Sequence, residues 1–358
     1  MRKRIISVLT AAAMLFTLSG CGKTNPPAQG PASENGTDTK TEAASSDETK
    51  AAKLTNVSYD PTRELYAAYN DLFKTYYTGE KGEEVEIVMS HGGSGGQARS
   101  VVEGAAADVV TLALEHDITL IQQAGLINEG WLSEFPLDSS PYTSTIVFLV
   151  RAGNEKELRD WDDLVKEGVE IITPDPKSSG GACWNFLAAW HYADLSFSGD
   201  ETAVKDFMRK LYANVTVMDS GARGATTTFV ENGQGDVLIA WENEALQTLK
   251  EYPDKFEMVS PSISILAQPS VAVVDENAAK NHSEELAADY LNYLYSDDAQ
   301  QLIGEYGYRP SNEEILAGFA DKFDLNMELC TIQDFGGWDE AFAVYFQDGG
   351  VFDEIYGA

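Results

Sequence analysis

Three cysteines, four histidines, and 25 Lys+Arg against 58 Asp+Glu are the scarcities of this 358-residue chain. Only Cys183 and Cys330 follow Cys21, which excludes a disulfide framework and leaves open whether those two pair. The few His form no cluster with Cys, so a zinc site is not expected. No D-x-[DN]-x-[DN]-G loop is present, so the many acids read as a solvated surface rather than calcium ligands. Phosphate contacts need clustered Lys and Arg, so a net charge of −33 argues against a nucleic-acid binder. At first sight it argues against binding any anion. A P-loop, a GxGxxG fingerprint and a fixed-period repeat are all missing. After residue 54 no stretch is long and apolar enough to span a bilayer. What is present is 43% hydrophobic and 10% aromatic residues. That is enough to bury two cores of ordinary size, which excludes wholesale disorder.

The amino terminus reads as an address. Arg2, Lys3 and Arg4 lead into an apolar run from Ile5 to Leu18, too short for a membrane span and followed by a polar tail. A signal peptide is expected over 1–20. Its end, Leu18-Ser19-Gly20-Cys21, resembles the bacterial lipobox, in which the Cys is lipidated and anchors the chain to the outer face of a membrane. Residues 22–53 have almost no large apolar side chain and read as a flexible tether.

From residue 54 strand and helix patterns alternate. Short β-rich apolar runs are Val85–Met89, Asp108–Leu114, Thr145–Val150, Val169–Thr173, Val215–Met218, Val237–Ala240 and Val271–Val274. Leu65, Tyr69, Leu72, Phe73 and Tyr76 follow the spacing of one buried helix face. Such alternation predicts an α/β fold with mostly parallel sheets covered by helices. Ligands in these folds sit at the carboxyl ends of strands, beside helix amino termini.

Four strand-to-helix junctions are rich in Gly, Ser and Pro. They are SYDPTREL (58–65), SHGGSGGQ (90–97), PDPKSSGGACW (174–184) and DSGARGATTTF (219–229). In the first, Asp60 stands where a cap would stand and Pro61 suits the first helical position. The second precedes a helix expected over Gln97–Glu103. A helix start offers unpaired N–H groups and about half a positive charge. Four aimed at one point would supply about +2 without any Lys or Arg. One alternative is a serine hydrolase, because Gly92-Gly93-Ser94-Gly95-Gly96 satisfies G-x-S-x-G with Ser94 as nucleophile. It needs a base, and His116, His191 and His282 are the candidates. Another is a surface scaffold or adhesin with no small ligand.

Eight segments together resemble the bacterial sulfate-binding proteins of ABC importers. They are NVSYDPTREL (56–65), SHGGSGGQ (90–97), ADVVTLAL (107–114), PYTSTIVFLVR (141–151), PKSSGGA (176–182), DSGARG (219–224), DVLIAWENEAL (236–246) and FGGW (335–338). The resemblance runs from about residue 54 to 352. It implies a two-lobed periplasmic-binding-protein-like fold of type II. Lobe I would comprise 54–142 plus about 262–310, lobe II 143–261, and 311–358 a C-terminal helical segment packed on the lobes. It implies a non-enzyme that holds sulfate, or thiosulfate, in the interlobe cleft by backbone N–H groups of Asp60, Ser94, Gly180, Gly181 and Ala222. The Ser179 hydroxyl and the Trp241 indole N–H would complete the shell, with His91 and Arg223 supporting the loops. No cofactor or metal is implied. The implied partners are an ABC permease with its ATPase, and a monomer is the expected assembly. The chain departs from the family pattern at Asp175 (usually Asn), Cys183 (usually Arg) and Gly96 (Lys in many members). Each change makes the cleft region less positive.

Overall fold

The computed structural model describes residues 51–357. The expected signal peptide, the lipidated Cys21 and most of the tether lie outside the described residues. The strands are β1 (Ala52–Tyr59), β2 (Val85–Gly92), β3 (Val109–Leu112), β4 (Tyr142–Thr143), β5 (Ile146–Arg151), β6 (Ile171–Pro174), β7 (Val215–Asp219), β8 (Val237–Trp241), β9 (Phe256–Val259), β10 (Ile263–Ile265), β11 (Ser270–Val273), β12 (Arg309–Pro310) and β13 (Glu328–Cys330). The helices that bear on the site are α1 (Arg63–Lys81), α2 (Ser94–Val102), α3 (Glu115–Gln123), α4 (Gly180–Ser196), α5 (Ala222–Val230) and α6 (Glu242–Glu251). Among the described residues no helix is long and apolar enough to cross a membrane.

Two sheets carry the fold. The first has the order β11-β3-β1-β2 and the second β7-β6-β8-β5-β9. Pairs β1–β2, β1–β3, β6–β7 and β6–β8 are parallel. Pairs β11–β3, β5–β8 and β5–β9 are antiparallel. Strands β5 and β11 adjoin the segments that pass between the sheets and run against their neighbours, while β9, antiparallel to β5, runs with β8. Those segments hold each other: β4 pairs with β12, and Ser144 bridges Ala267. Each sheet buries both faces. Leu54, Tyr69, Phe73 and Val109 pack on one side of the first, and Val57, Val101, Val110 and Ala272 on the other. A strand buried on both faces reads as a continuous apolar run, as β5 (IVFLVR) does.

β1 does not read that way, and the apolar runs miss it. Its Asn56 and Ser58 are fully buried. They survive there because Thr111 Oγ1 on β3 bonds both, at 3.1 Å to Asn56 Oδ1 and 2.7 Å to Ser58 Oγ. β1 also begins at Ala52, inside the segment read as tether. On α1 the buried face is turned from the expected one. Tyr66 and Tyr77 are buried with Leu65, Tyr69 and Phe73, while Tyr76 is exposed and stacks on Tyr293 with ring centroids 4.1 Å apart. Helix α2 starts at Ser94 rather than Gln97, which places Gly95 and Gly96 in its first turn. Cys183 and Cys330 are both buried and free.

Candidate functional site

Strands β1, β2, β6, β7 and β8 each end at the cleft between the sheets. The loops that follow β1, β2, β6 and β7 each deliver one part of a small enclosure, with Trp241 at the end of β8 behind it. Its wall includes Asp60, Gly93, Ser94, Ser179, Gly181 and Ala222. Asp60 opens a one-turn 3-10 helix that runs into α1, Ser94 opens α2, Gly180 and Gly181 open α4, and Ala222 opens α5. None of these four starts is capped by a side chain. Elsewhere Asp200, Ser296 and Asn312 cap their helices in the ordinary way. First-turn N–H groups have no intrahelical partner, so at the enclosure they remain available to a ligand. Asp60 departs from the sequence reading. Its Oδ1 meets Arg63 Nη2 at 3.1 Å instead of capping a helix.

Gly180 and Trp241 stand just outside the wall. Trp241 is buried, and its indole N–H has no hydrogen-bond partner. A Cβ on Gly181 would lie 2.5 Å from Trp241 Nε1 and 3.5 Å from Ser179 Oγ, so both donors converge where glycine leaves room. Ser179 Oγ accepts no cap bond from the first turn of its own helix. An orphaned indole N–H in a buried site costs free energy unless a ligand meets it.

The two sides are pressed together. A Cβ on Gly93 would sit 2.7 Å from Ser178 O and 3.1 Å from Ser220 O, both from the second-sheet side. Trp184 Nε1 on α4 donates to Ala113 O at 3.1 Å. Arg223 Nη2 on α5 reaches Glu64 Oε2 on α1 at 2.5 Å and Glu244 Oε1 on α6 at 3.3 Å. Arg223 thus ties the two sides and does not line the enclosure. Burial pushes the Glu244 carboxyl up from its ordinary value, and Arg223 opposes that. His91 stands at the end of β2 opposite Ser58. Burial, with nearby Arg63, holds its imidazole below the usual value.

Sequence reasoning missed Asp117. Its carboxylate is buried at the start of α3 and accepts from Ser94 Oγ at 2.5 Å, while Ser94 Oγ accepts from Ala113 N–H at 3.0 Å. This locks the turn that presents Ser94 N–H. Burial pushes Asp117 up to about 6 against the opposing effects of Ser94 and Arg99. No local signal marked it, because an acid at a helix start is ordinary. The same bonds remove support from Ser94 as a nucleophile: its hydroxyl is committed to a carboxylate, and no His contacts it among the described residues. His116 instead stacks on Phe342 with centroids 3.8 Å apart. Of the departures, Asp175 has a local function. Its Oδ1 accepts from Lys177 N–H at 2.8 Å, shaping the loop before α4.

A family model described as bacterial extracellular solute-binding protein matches residues 55–309. A sulfate-binding protein of Escherichia coli is 53% identical over 87% of this chain and 95% of that protein. A thiosulfate-binding protein of Pseudomonas aeruginosa is 46% identical over 86% of this chain and 92% of its own length. Among solved structures, the sulfate-binding protein SubI from Mycobacterium tuberculosis H37Rv is similar with a TM-score of 0.74 and 34% identity. It covers 82% of this chain and 98% of its own.

Proposed function

The chain belongs to the bacterial extracellular solute-binding protein family, and on that premise we propose that it captures sulfate or thiosulfate outside the cytoplasm and delivers it to an ABC importer. The four uncapped helix starts converging on one enclosure carry this reading. Their N–H groups at Asp60, Ser94, Gly180, Gly181 and Ala222, with Ser179 Oγ and Trp241 Nε1, form a shell of donors. The summed helix-end charge of about +2 matches a dianion. Net charge does not prevent this, because surface charges are screened within about 8 Å at physiological salt. Oriented amides set the local potential.

The nearest carboxylates are engaged, Asp60 by Arg63 and Asp117 by Ser94. Sulfate and thiosulfate only accept hydrogen bonds, whereas hydrogen phosphate carries a proton with nothing to receive it. Such a buried mismatch discriminates by about 10⁴ or more. Closure occurs when donors from both lobes meet one anion, a hinge transition that presents the closed form to the permease. The role is binding rather than catalysis. Calorimetry on the chain should show sulfate and thiosulfate binding, and phosphate at least a thousandfold weaker. Equal binding of phosphate would refute the donor-only shell. Trp241→Phe should weaken sulfate about tenfold to a hundredfold without lowering the anion-free melting temperature. Wild-type affinity in that variant would remove Trp241 from the shell.

The anchor at Cys21 is part of the same proposal. Labelling of cells with a radioactive fatty acid should mark the wild-type chain and leave Cys21→Ser unmarked. Equal labelling of both would remove Cys21 as the anchor.

A further inference from the structure

Behind Ser94 a second cavity opens between the lobes, lined by Gly95, Arg99, Asp117, Lys177 and Cys183 among others. It raises a question of charge. Asp117 is 4% exposed, and it bonds the Oγ of the same Ser94 whose N–H faces the anion enclosure. A dianion in that enclosure would therefore stand close to a buried carboxylate.

Arg99 lies on the same cavity. It is one helical turn beyond Gly95 on α2, is exposed, and makes no ion pair or side-chain hydrogen bond among the described residues. A Cβ on Gly95 would be 3.5 Å from Arg99 Nη1 and 3.5 Å from Asp117 Oδ1. The two charges thus face each other across a glycine, no more than twice that distance apart. The other cation on the cavity is committed: Lys177 Nζ bonds Phe346 O, Gln347 O and Asp353 Oδ2. The remaining titratable groups facing this space are Cys183 on α4 and Asp348 of the C-terminal segment, with Asp175 acting on Cys183 from the loop after β6. Neither acid can offset Asp117, and burial keeps the Cys183 thiol neutral.

We propose that Arg99 is a positioning residue for anion capture: across Gly95 it neutralises Asp117, and so lets the carboxylate that fixes the Ser94 turn coexist with a dianion. The inference rests on the capture reading above. In the wild type at pH 8 Asp117 is ionised and the pair is close to neutral, whereas below the Asp117 titration the carboxyl is protonated with or without Arg99. Without Arg99, the ionised Asp117 repels the anion, and the penalty disappears as pH falls through the Asp117 titration. The burial-raised carboxyl of Asp117, at about 6, puts that window within reach.

The test is sulfate calorimetry on the full chain at pH 8 and pH 5. Arg99→Gln should lose about tenfold in affinity at pH 8, and the rise in its affinity on acidification should begin at a higher pH than in the wild type. Arg99→Lys should recover most of the loss, and adding Asp117→Asn to Arg99→Gln should flatten the pH dependence. A second readout needs no anion: carboxyl NMR should show the Asp117 midpoint rising by about half to one pH unit in Arg99→Gln. A merely structural Arg99 would move neither the pH profile nor the midpoint. An unmoved midpoint with intact sulfate binding overturns the role of Arg99 alone. A wild-type chain that binds no sulfate overturns the capture reading, and Arg99's part in it with it.

Discussion

Gly180→Ala is expected to lower sulfate affinity about a hundredfold while leaving the anion-free melting temperature unchanged. The added methyl would lie 2.9 Å from Ala113 Cβ, 2.9 Å from Leu114 Cγ and 3.2 Å from Ser94 Cβ. All three belong to the first lobe, whereas Gly180 opens α4 of the second. The clash therefore exists only when the lobes are shut. Overpacking of this kind costs about 1–3 kcal/mol, and here the cost falls wholly on the closed, ligand-bound state. Gly96→Ala is the control. It lies two residues beyond Ser94, and nothing is within 4 Å of its Cβ position, so its affinity should match the wild type. Paired calorimetry on the two variants decides the matter. Equal affinities would mean that the tight approach at Gly180 is not part of closure.

Removing Arg309 is expected to produce a large loss of stability. Its Nε meets Glu242 Oε2 at 2.7 Å and its Nη2 meets Glu242 Oε1 at 2.9 Å, with Arg309 5% exposed and Glu242 fully buried. Arg309 lies in β12, which pairs with the crossing strand β4, and Glu242 begins α6 directly after Trp241. Replacing a whole buried pair by apolar groups is often neutral, but deleting one partner strands a charge at about 3–5 kcal/mol. Arg309→Met should lose that much in urea unfolding, and adding Glu242→Gln should restore more than half. Burial already pushes the Glu242 carboxyl up, and Arg309 is what opposes it. Without Arg309 the folded-state value rises further above the unfolded one. The deficit is then largest above the raised folded-state value, shrinks as pH falls through it, and is gone below the unfolded-state value, because the folded state binds the proton more tightly. A loss under 1 kcal/mol at pH 7 would show that Glu242 finds another partner.

Much of the site was legible before any coordinates. Glycine and serine at a strand-to-helix junction are local chemistry, and Asp60, Ser94, Ser179, Gly181 and Ala222 do line one enclosure. The α/β alternation was legible for the same reason, since apolar period reports burial within a few residues. β1 was illegible because its inward side chains are polar and satisfied by β3, a partner 55 residues away in the case of Asn56 and Thr111. The capping expected of Asp60 failed because the one-turn helix starts a residue early, with Tyr59 at the cap position and Asp60 already in the first turn.

The sequence by itself determined the alternating fold class and the glycine-bearing loops whose N–H groups carry the proposed chemistry. Each of these depends on residues close in the chain. Only the tertiary structure decided that the helix starts converge, that Gly93 and Gly180 are the points where the lobes touch, and that Arg99 faces Asp117 across Gly95. It also decided that Cys183 and Cys330 stay free. These facts rest on distances between groups far apart in sequence. They are set by how two sheets and their crossing segments pack, and no local spacing encodes that.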